Sequence, residues 1–381
     1  MTSDQEQSTS KTAEPAPKQR VVVEAAYCTR AAGSGCARCA HICPHGAINL
    51  PEGSQAPMID HAACNGCGVC FGICDAFAST HLTMADLHAR IRRIATSGRR
   101  AYLTCRENVF PGLAVDSNVI VLPCISMVPP ELWTLMLAEN IRLSVACDFK
   151  YCEDCDRAGA IGAALFPRAI ELAQERTGGE VKFSYRIPEK KTLVDKYARD
   201  NATTDRRAAF EDLFTDVTEI ASGKRRLRNS EVLADYYQKK ERMRAISKLN
   251  LASENPLPQI SPEGFVSTCL FPRQKWLLEA VGRKPEIASA VPIALSTTDP
   301  DLCCRAHACI DACPTGARQI DHGDGKVAFD PTLCVGCGIC VDACPQGAVS
   351  VEETTAEAYL PTLTAQGDAG TLKEGRQHRR A

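Results

Sequence analysis

The chain has 381 residues, of which 45% are hydrophobic and 24% charged, and its formal net charge is -2. This length and composition suffice for about two or three domains with buried cores, and a net charge near zero gives no basis for a nucleic-acid-binding surface. No apolar run reaches the ~18 to 20 residues of a membrane-spanning helix, so no membrane span is expected.

Cysteine is the unusual part of the composition, with 22 residues. So many cysteines indicate either disulfides or metal binding, and the redox compartment decides between the two. Residues 1–20 are polar and lack the apolar segment of a signal peptide, so they are interpreted as a disordered leader. We therefore expect a cytoplasmic protein whose reduced thiols bind metal.

The first predicted domain, 21–82, contains two cysteine motifs. The second motif, from Cys64 to Cys74, has the spacing C-x2-C-x2-C-x3-C. Three thiolates at that spacing can bind three irons of one cubane, while the fourth reaches a neighbouring cluster. The first motif is irregular, because an insertion rich in Ala, Gly and Ser separates Cys28 from Cys36. The candidate ligands here are Cys28, Cys36, Cys39, Cys43, Cys64, Cys67, Cys70 and Cys74.

The second predicted domain, 83–188, has strands that alternate with helices, which is typical of a parallel sheet. The predicted helices cover 84–99, 130–140 and 154–178, and the predicted strands cover 101–105, 119–124, 141–147 and 181–186. The first three strands each end on a cysteine, and the C-termini of parallel strands share one edge of the sheet. Cys105, Cys124 and Cys147 are therefore expected to converge, with Cys152 and Cys155 arriving from the following loop.

This convergence predicts a metal site, and the alternative is that the strand-end cysteines are ordinary buried small residues. Gly159 and Gly162 resemble a dinucleotide-binding turn only weakly, and we interpret them as small residues that allow close helix packing. His41 and His45 flank Cys43 and are interpreted as ordinary exposed polar residues.

The linker and the C-terminal tail contain few candidate functional residues. Residues 189–300 are predicted to form a charged helical linker, whose basic clusters at 224–226 and 239–240 are interpreted as solvated helix faces. Cys269 lies alone in this linker and is interpreted as structural. The tail, 353–381, is interpreted as disordered.

The last predicted domain, 301–352, repeats the first. Six cysteines of the first domain recur at a constant offset of 270 residues, as Cys309, Cys313, Cys334, Cys337, Cys340 and Cys344. Ala306 stands where the first copy has Cys36, and Cys303 and Cys304 lie just upstream. Either both serve as ligands and a four-iron cluster forms, or one serves and a three-iron cluster results.

On these motifs, 28–82 and 301–352 resemble bacterial two-cluster ferredoxin domains. The resemblance implies that three cysteines of one motif and the last cysteine of the other share a cubane. It assigns Cys43 to the cluster of Cys64, Cys67 and Cys70. It assigns Cys74 to the cluster of Cys28, Cys36 and Cys39. In the second copy it likewise assigns Cys313 to the trio at Cys334, and Cys344 to Cys309 with Cys303, Cys304 or both.

Residues 101–175 resemble the small iron–sulfur (delta) subunit of methyl-viologen-reducing hydrogenase. The resemblance rests on the segment 122–132, on the Cys147-x4-Cys152 spacing and on Arg157-Ala158-Gly159. It implies a [2Fe-2S] cluster on Cys105, Cys124, Cys147 and Cys152, and delivery of electrons to heterodisulfide reductase. Cys155 is a rival ligand, and a tetrahedral zinc site is the alternative metal centre.

The sequence thus predicts a mixed α+β and α/β multidomain chain, with two ferredoxin-like modules flanking a small parallel α/β domain and a helical segment. Expected cofactors are three or four [4Fe-4S] clusters, with [3Fe-4S] as the alternative for one of them, and one [2Fe-2S] cluster. No hydrolase or phosphate-binding motif is present.

We therefore expect an electron-transfer subunit that relays single electrons between a donor and a catalytic partner, namely a flavoprotein, a hydrogenase or a heterodisulfide-reductase-like complex. The alternatives are a reductase that acts at the irregular cluster near Cys303 and Cys304, and a redox sensor.

Overall fold

A computed structural model describes residues 21–190, 270–321 and 325–360. All of them belong to one contact-defined unit of the chain, formed by 20–191 and 244–381. The predicted leader, the basic clusters of the linker, Cys269 and the tail beyond residue 360 lie outside the described residues.

Residues 21–82 form two short antiparallel strand pairs and two short helices. In chain order these are β1 (Val21–Val23), α1 (Arg38–Ile42), β2 (Ile48–Asn49), β3 (Met58–Ile59), α2 (Val69–Ile73) and β4 (Phe77–Ser79). Strand β1 pairs with β4, and β2 pairs with β3. Gly68 precedes α2 with a φ of 84°, a left-handed conformation that glycine adopts without strain. The cysteines of both motifs therefore lie on loops and helix ends.

The middle of the chain forms a four-stranded sheet in which every pairing is parallel, with strand order β6-β5-β7-β8. Its elements are α3 (Met84–Thr96), β5 (Ala101–Cys105), β6 (Val119–Leu122), α4 (Pro130–Ala138), β7 (Leu143–Ala146), α5 (Lys150–Glu153), α6 (Gly159–Thr177) and β8 (Val181–Ser184). All four residues of β7 are buried, which explains why its sequence is almost continuously apolar.

Some element ends differ from the sequence expectation. The helix predicted from 154 begins only at Gly159, and a separate short helix, α5, precedes it. Strand β6 stops at Leu122, because Pro123 has no N–H to continue the ladder. Cys105 is thus the last residue of β5, whereas Cys124 and Cys147 lie just beyond β6 and β7.

A helix inside the predicted linker joins the first and middle segments. This helix, α7 (Pro272–Arg283), packs on α4 and buries Trp276. Its Arg273 binds Glu131 of α4 with two hydrogen bonds of 2.8 and 3.0 Å, and the Arg273 backbone N–H donates to Asp75 at 2.9 Å. Asp75 follows Cys74 directly, so α7 fixes the end of the second motif against the sheet domain.

The C-terminal segment contains β9 (Pro292–Thr298), α8 (Ala308–Asp311), β10 (Arg318–Ile320), β11 (Val327–Phe329), α9 (Ile339–Asp342) and β12 (Val349–Thr355). Its antiparallel pairs, β9 with β12 and β10 with β11, repeat the arrangement of 21–82. Strand β9 lies outside the predicted range 301–352, and β12 extends past it, so the pairing reaches further in both directions than the cysteines indicate. Within the described ranges, no helix is long and apolar enough to cross a membrane.

Candidate metal centres

The 21 cysteines of the described residues are all free thiols, and the fold gathers them into five groups. Each group shares a cavity or contains thiols that interact electrostatically. We call them site 1 (Cys105, Cys124, Cys147, Cys152, Cys155), site 2 (Cys43, Cys64, Cys67, Cys70), site 3 (Cys28, Cys36, Cys39, Cys74), site 4 (Cys313, Cys334, Cys337, Cys340) and site 5 (Cys303, Cys304, Cys309, Cys344).

Site 1 lies at the carboxyl edge of the parallel sheet. Cys105, Cys124 and Cys147 come from the ends of three neighbouring strands, and all three are buried. Cys152 and Cys155 line the same cavity from α5 and the loop after it. Burial and the nearby thiols of Cys105 and Cys124 raise the pKa of Cys152 to about 11. The structure therefore brings five thiols together, one more than a four-ligand centre uses.

Two polar side chains hold the sulfur atoms of site 1. Asn108 Nδ2 donates to Cys105 Sγ at 2.9 Å and to Cys147 Sγ at 3.4 Å, and Ser126 Oγ donates to Cys124 Sγ at 3.0 Å. A hydrogen bond from Cys147 lowers the pKa of Cys105 to about 6, and the same contact raises the pKa of Cys147. The side chains of Cys105 and Cys147 are therefore hydrogen-bonded to each other at the sheet edge.

Helix α6 closes site 1 from one side. A Cβ atom at Gly162 would lie 3.0 Å from Cys124 Sγ and 2.7 Å from the Ala158 side chain. The close packing expected of the glycine pair is thus found at Gly162. Gly159 has open space instead, and its φ of 50° serves the turn that begins the helix.

Site 2 lies next to site 1. Burial, then neighbouring thiols that include Cys43 and Cys64, raise the pKa of Cys67 to about 11. Cys124 of site 1 contributes to the same shift, which places the two groups within electrostatic range. Burial also raises the pKa of Cys70, with Cys67 and Cys64 adding to it.

The loops of sites 1 and 2 are joined by polar and close backbone contacts. Asn65 Nδ2 donates to the carbonyl of Asp156 at 2.8 Å, and His45 Nε2 lies 2.8 Å from the carbonyl oxygen of Arg157. A Cβ atom at Gly72 would overlap the Ser126 carbonyl oxygen, so α2 approaches the site 1 loop through a residue without a side chain. His45 is exposed, as the sequence indicated, but it serves this contact.

Site 3 opens on a cavity of about 380 Å³ that also reaches site 4. All four cysteines of site 3 line this cavity, and so do Val335, Gly336 and Cys337 from the C-terminal segment. Burial raises the pKa of Cys74 to about 12, with Asp75 and Cys28 adding to the effect. Sites 3 and 4 therefore face each other across one space.

Site 4 repeats the local structure of site 2. The Val69 N–H lowers the pKa of Cys67, and the Ile339 N–H lowers the pKa of Cys337. Burial has the larger, opposite effect and raises the pKa of Cys337 to about 11. Gly338 precedes α9 with a φ of 78°, as Gly68 precedes α2. Backbone N–H groups aimed at sulfur favour a charged thiolate, which is the form that binds metal.

Arg318 lies between sites 4 and 5 and is only 2% exposed. Its guanidinium donates to the hydroxyls of Ser296 and Thr298, at 2.7 Å each, and lies 3.7 Å from Cys309 Sγ. It lowers the pKa of Cys309 and of Cys334 against the larger effect of burial. No ion pair to Arg318 occurs within the part of the chain that the structure describes. A buried cation without a carboxylate is unfavourable unless another negative group lies nearby.

Site 5 is the least regular. Cys303, Cys304, Cys309 and Cys344 line one small cavity, in which Cys309 is buried and Cys304 belongs to the exposed surface. Although burial raises the pKa of Cys344, backbone N–H groups of 346–349 lower it below its usual value, and the Ala348 N–H lies 3.2 Å from Cys344 Sγ.

The donor set of these groups suits iron–sulfur chemistry. Thiols that lie this close together bind a cation in place of their protons, so each group offers the all-sulfur ligands that iron–sulfur clusters use. Among the described residues, no three His, Cys, Asp or Glu side chains are placed to hold a single metal ion. The ligands of one zinc ion all lie about 2.3 Å from it, whereas those of a cluster bind different iron atoms.

The polar partners of the sulfur atoms are not predicted from the sequence. Asn108 and Ser126 carry no recognisable signal. Arg318 does, because the internal repeat places it opposite Ile48 of the first copy, which is a buried strand residue. An arginine at a core position of a repeat indicates a special environment.

Comparison with known proteins identifies one family. Residues 327–350, which include Cys334, Cys337, Cys340 and Cys344, match the family described as the 4Fe-4S binding domain. No curated protein and no solved structure matches the chain. The chain thus contains a 4Fe-4S binding domain and has a general role in iron–sulfur electron transfer.

Proposed function

We propose that this protein is an electron-transfer subunit with five iron–sulfur centres, which relays single electrons between a redox donor and a catalytic partner. Sites 2 and 3, and sites 4 and 5, would form two ferredoxin-like modules that hold [4Fe-4S] clusters. Site 1 would hold a [2Fe-2S] cluster on Cys105, Cys124, Cys147 and Cys152, with Cys155 as the fifth thiol. When bound, such clusters accept and donate one electron at a time.

The observation that carries this proposal is the order of the sites. Cys124 of site 1 and Cys67 of site 2 lie in one buried cluster and interact electrostatically. Sites 2 and 3 share the two motifs of one segment, site 3 faces site 4 across a common cavity, and Arg318 adjoins both site 4 and site 5. Five adjacent groups of thiols, each with a bound cluster, would carry electrons across the molecule.

The residues around the sites have tasks that fit this role. Buried walls exclude water, and N–H donors and Arg318 stabilise negative charge on sulfur. The described residues offer no motif for binding a substrate or a nucleotide. We therefore assign the substrate chemistry to a partner.

Exposed aromatic residues next to site 1 support docking of a partner there. Tyr151 lines the site 1 cavity and is 41% exposed, and it packs edge-on against Phe110 at 5.4 Å. Phe149 and Phe183, also partly exposed, lie 6.2 Å apart on the same domain. Clustered exposed aromatics are typical of protein interfaces. The partner we propose is a flavoprotein, a hydrogenase or a heterodisulfide-reductase-like subunit.

The proposed compartment is the cytoplasm. The reducing environment of that compartment would keep the cysteines as free thiols that can bind metal.

The row of sites can be tested by breaking it at its middle and at its end. The full chain, purified anaerobically and reduced with dithionite, should show magnetically coupled signals by electron paramagnetic resonance and no substrate turnover. Removing site 3 with Cys39→Ala and Cys74→Ala should leave two separate groups of magnetically coupled clusters, sites 1 and 2 in one and sites 4 and 5 in the other.

The matched control removes site 1 with Cys105→Ala and Cys147→Ala, and this should leave the remaining four centres coupled. Identical magnetic coupling in the two double variants would contradict the proposed order of the five sites. Sustained turnover by the isolated chain with a chemical reductant would instead favour a reductase that acts at site 5.

A further inference from the structure

Site 5 lacks one thiol ligand of the regular pattern. The internal repeat places Ala306 where the first copy has Cys36, and Ala306 is exposed. Cys304 is exposed as well, so it is poorly placed to bind a buried centre. The buried Cys309 and the half-buried Cys303 and Cys344 remain as three thiols on one cavity.

His307 lines the same cavity as these three thiols. Its Nε2 atom is fully shielded from solvent and has no hydrogen-bond partner in the described part of the chain. A buried imidazole nitrogen without a partner is unfavourable, because it has lost its hydrogen bonds to water. An iron atom is a partner that would satisfy it, since imidazole nitrogen is a common ligand of iron.

The backbone around His307 is unusual in the same place. Arg305 has a φ of 55° and His307 a φ of 60°, and only Asn140 shares this left-handed conformation among the non-glycine residues of the described ranges. Side chains make such conformations unfavourable, and they persist where a functional site requires them. Both residues flank Ala306, so the unusual backbone lies where the thiol is missing.

We propose that His307, through Nε2, is the fourth ligand of the cluster at site 5, together with Cys303, Cys309 and Cys344. This inference rests on the proposed function, since it requires a cluster at site 5. It makes that cluster a four-iron centre and leaves Cys304 outside the ligand set.

Replacing a thiolate ligand with an imidazole changes the charge of the cluster. A neutral imidazole in place of a thiolate leaves the centre one charge less negative, so it accepts an electron more readily, as imidazole ligands raise the potential of other iron–sulfur centres. Arg318, at 3.7 Å from Cys309 Sγ, acts in the same direction. Site 5 is then the most oxidising of the four-iron sites.

The direct test labels the full-length protein with ¹⁵N-histidine and records pulsed electron paramagnetic resonance spectra of the reduced, anaerobically purified chain. A strongly coupled ¹⁵N nucleus should appear on one four-iron signal. It should disappear in His307→Ala, in which iron falls from about 18 to about 17 atoms per chain as one centre becomes a three-iron cluster. His307→Cys should keep the iron content, lose the nitrogen coupling and lower the potential of that centre.

Two controls separate this inference from its rivals. His81→Ala, at an exposed histidine, and Cys304→Ser should leave the nitrogen coupling and the iron content unchanged. A wild-type protein without coupled nitrogen, or loss of iron in Cys304→Ser but not in His307→Ala, would overturn the ligand assignment while sites 2 to 4 keep their signals. Loss of all cluster signals would instead overturn the proposed function.

Discussion

A buried guanidinium beside two thiol groups shows how single residues tune this molecule. Arg318 is almost fully buried, its donors reach hydroxyl and carbonyl groups, and it lies close to Cys309 of site 5. A positive charge in this position stabilises the reduced, more negative form of a cluster. If the proposed clusters are present, Arg318 raises the potentials of the C-terminal sites above those of their counterparts in the first segment, where Ile48 holds the equivalent place.

Replacing this residue should lower potentials without removing iron. We expect Arg318→Met to shift the potential of site 5 downward by about 60 to 120 mV, which corresponds to the loss of one hydrogen bond to a charged group. Redox titration followed by electron paramagnetic resonance measures the shift. Arg90→Gln, at an exposed arginine on α3, is the control and should change nothing. Equal potentials in Arg318→Met and the wild type would show that the guanidinium does not act on the sites.

For single residues, the sequence predicts the thiol ligands but not the side chains that donate hydrogen bonds to them. Cysteine spacing predicts which thiols belong together, because a cubane demands a fixed arrangement of donors. Asn108 is different: it reaches two sulfur atoms from strands that are distant in the chain, and nothing in its neighbourhood indicates that contact. Such side chains are found only when the tertiary structure is known.

Among the elements, helix α6 decides the shape of site 1. Its residue 162 is a glycine at a close approach, because a Cβ atom there would lie 2.7 Å from the Ala158 side chain and 3.0 Å from Cys124 Sγ. The same helix ends at Gly178, whose φ of 66° is a regular helix C-cap. Gly162 thus allows close packing at site 1, and Gly178 ends the helix.

A pair of helix substitutions tests that distinction. Gly162→Ala should lower the free energy of unfolding by about 1 to 3 kcal/mol through overpacking, and weaken or abolish the two-iron signal by displacing Cys124. Gly282→Ala, in α7 with open space around it, should instead stabilise the protein by about 0.5 to 1 kcal/mol. Chemical denaturation and electron paramagnetic resonance provide the two readouts. An intact two-iron signal in Gly162→Ala would mean that α6 does not shape site 1.

Elements with strong local patterns are predictable, and those defined by distant partners are not. The alternation of strands and helices in 101–184 reads directly from apolar runs, and the structure has a parallel sheet there. Strand β9 pairs with β12 about fifty residues later, and the charged, proline-punctuated sequence around it suggests a linker. Its place in the C-terminal sheet depends on a contact that no local pattern encodes.

For the whole molecule, the arrangement of the five sites follows from how the segments pack. The internal repeat predicts two similar units but says nothing about which site of one faces which site of the other. The docking of α7, through Arg273 on Glu131 and Asp75, holds the first segment on the sheet domain. The cavity lined by site 3 and Cys337 then brings the two repeats face to face. The proposed electron path depends on these contacts.

Whether these thiols hold iron and sulfide is decided by the metal content of the full chain, purified anaerobically. Four cubanes and one two-iron cluster predict about 18 irons and a similar number of acid-labile sulfides per chain. Zinc in place of iron, with no acid-labile sulfide, would show that the thiols do not hold iron–sulfur clusters.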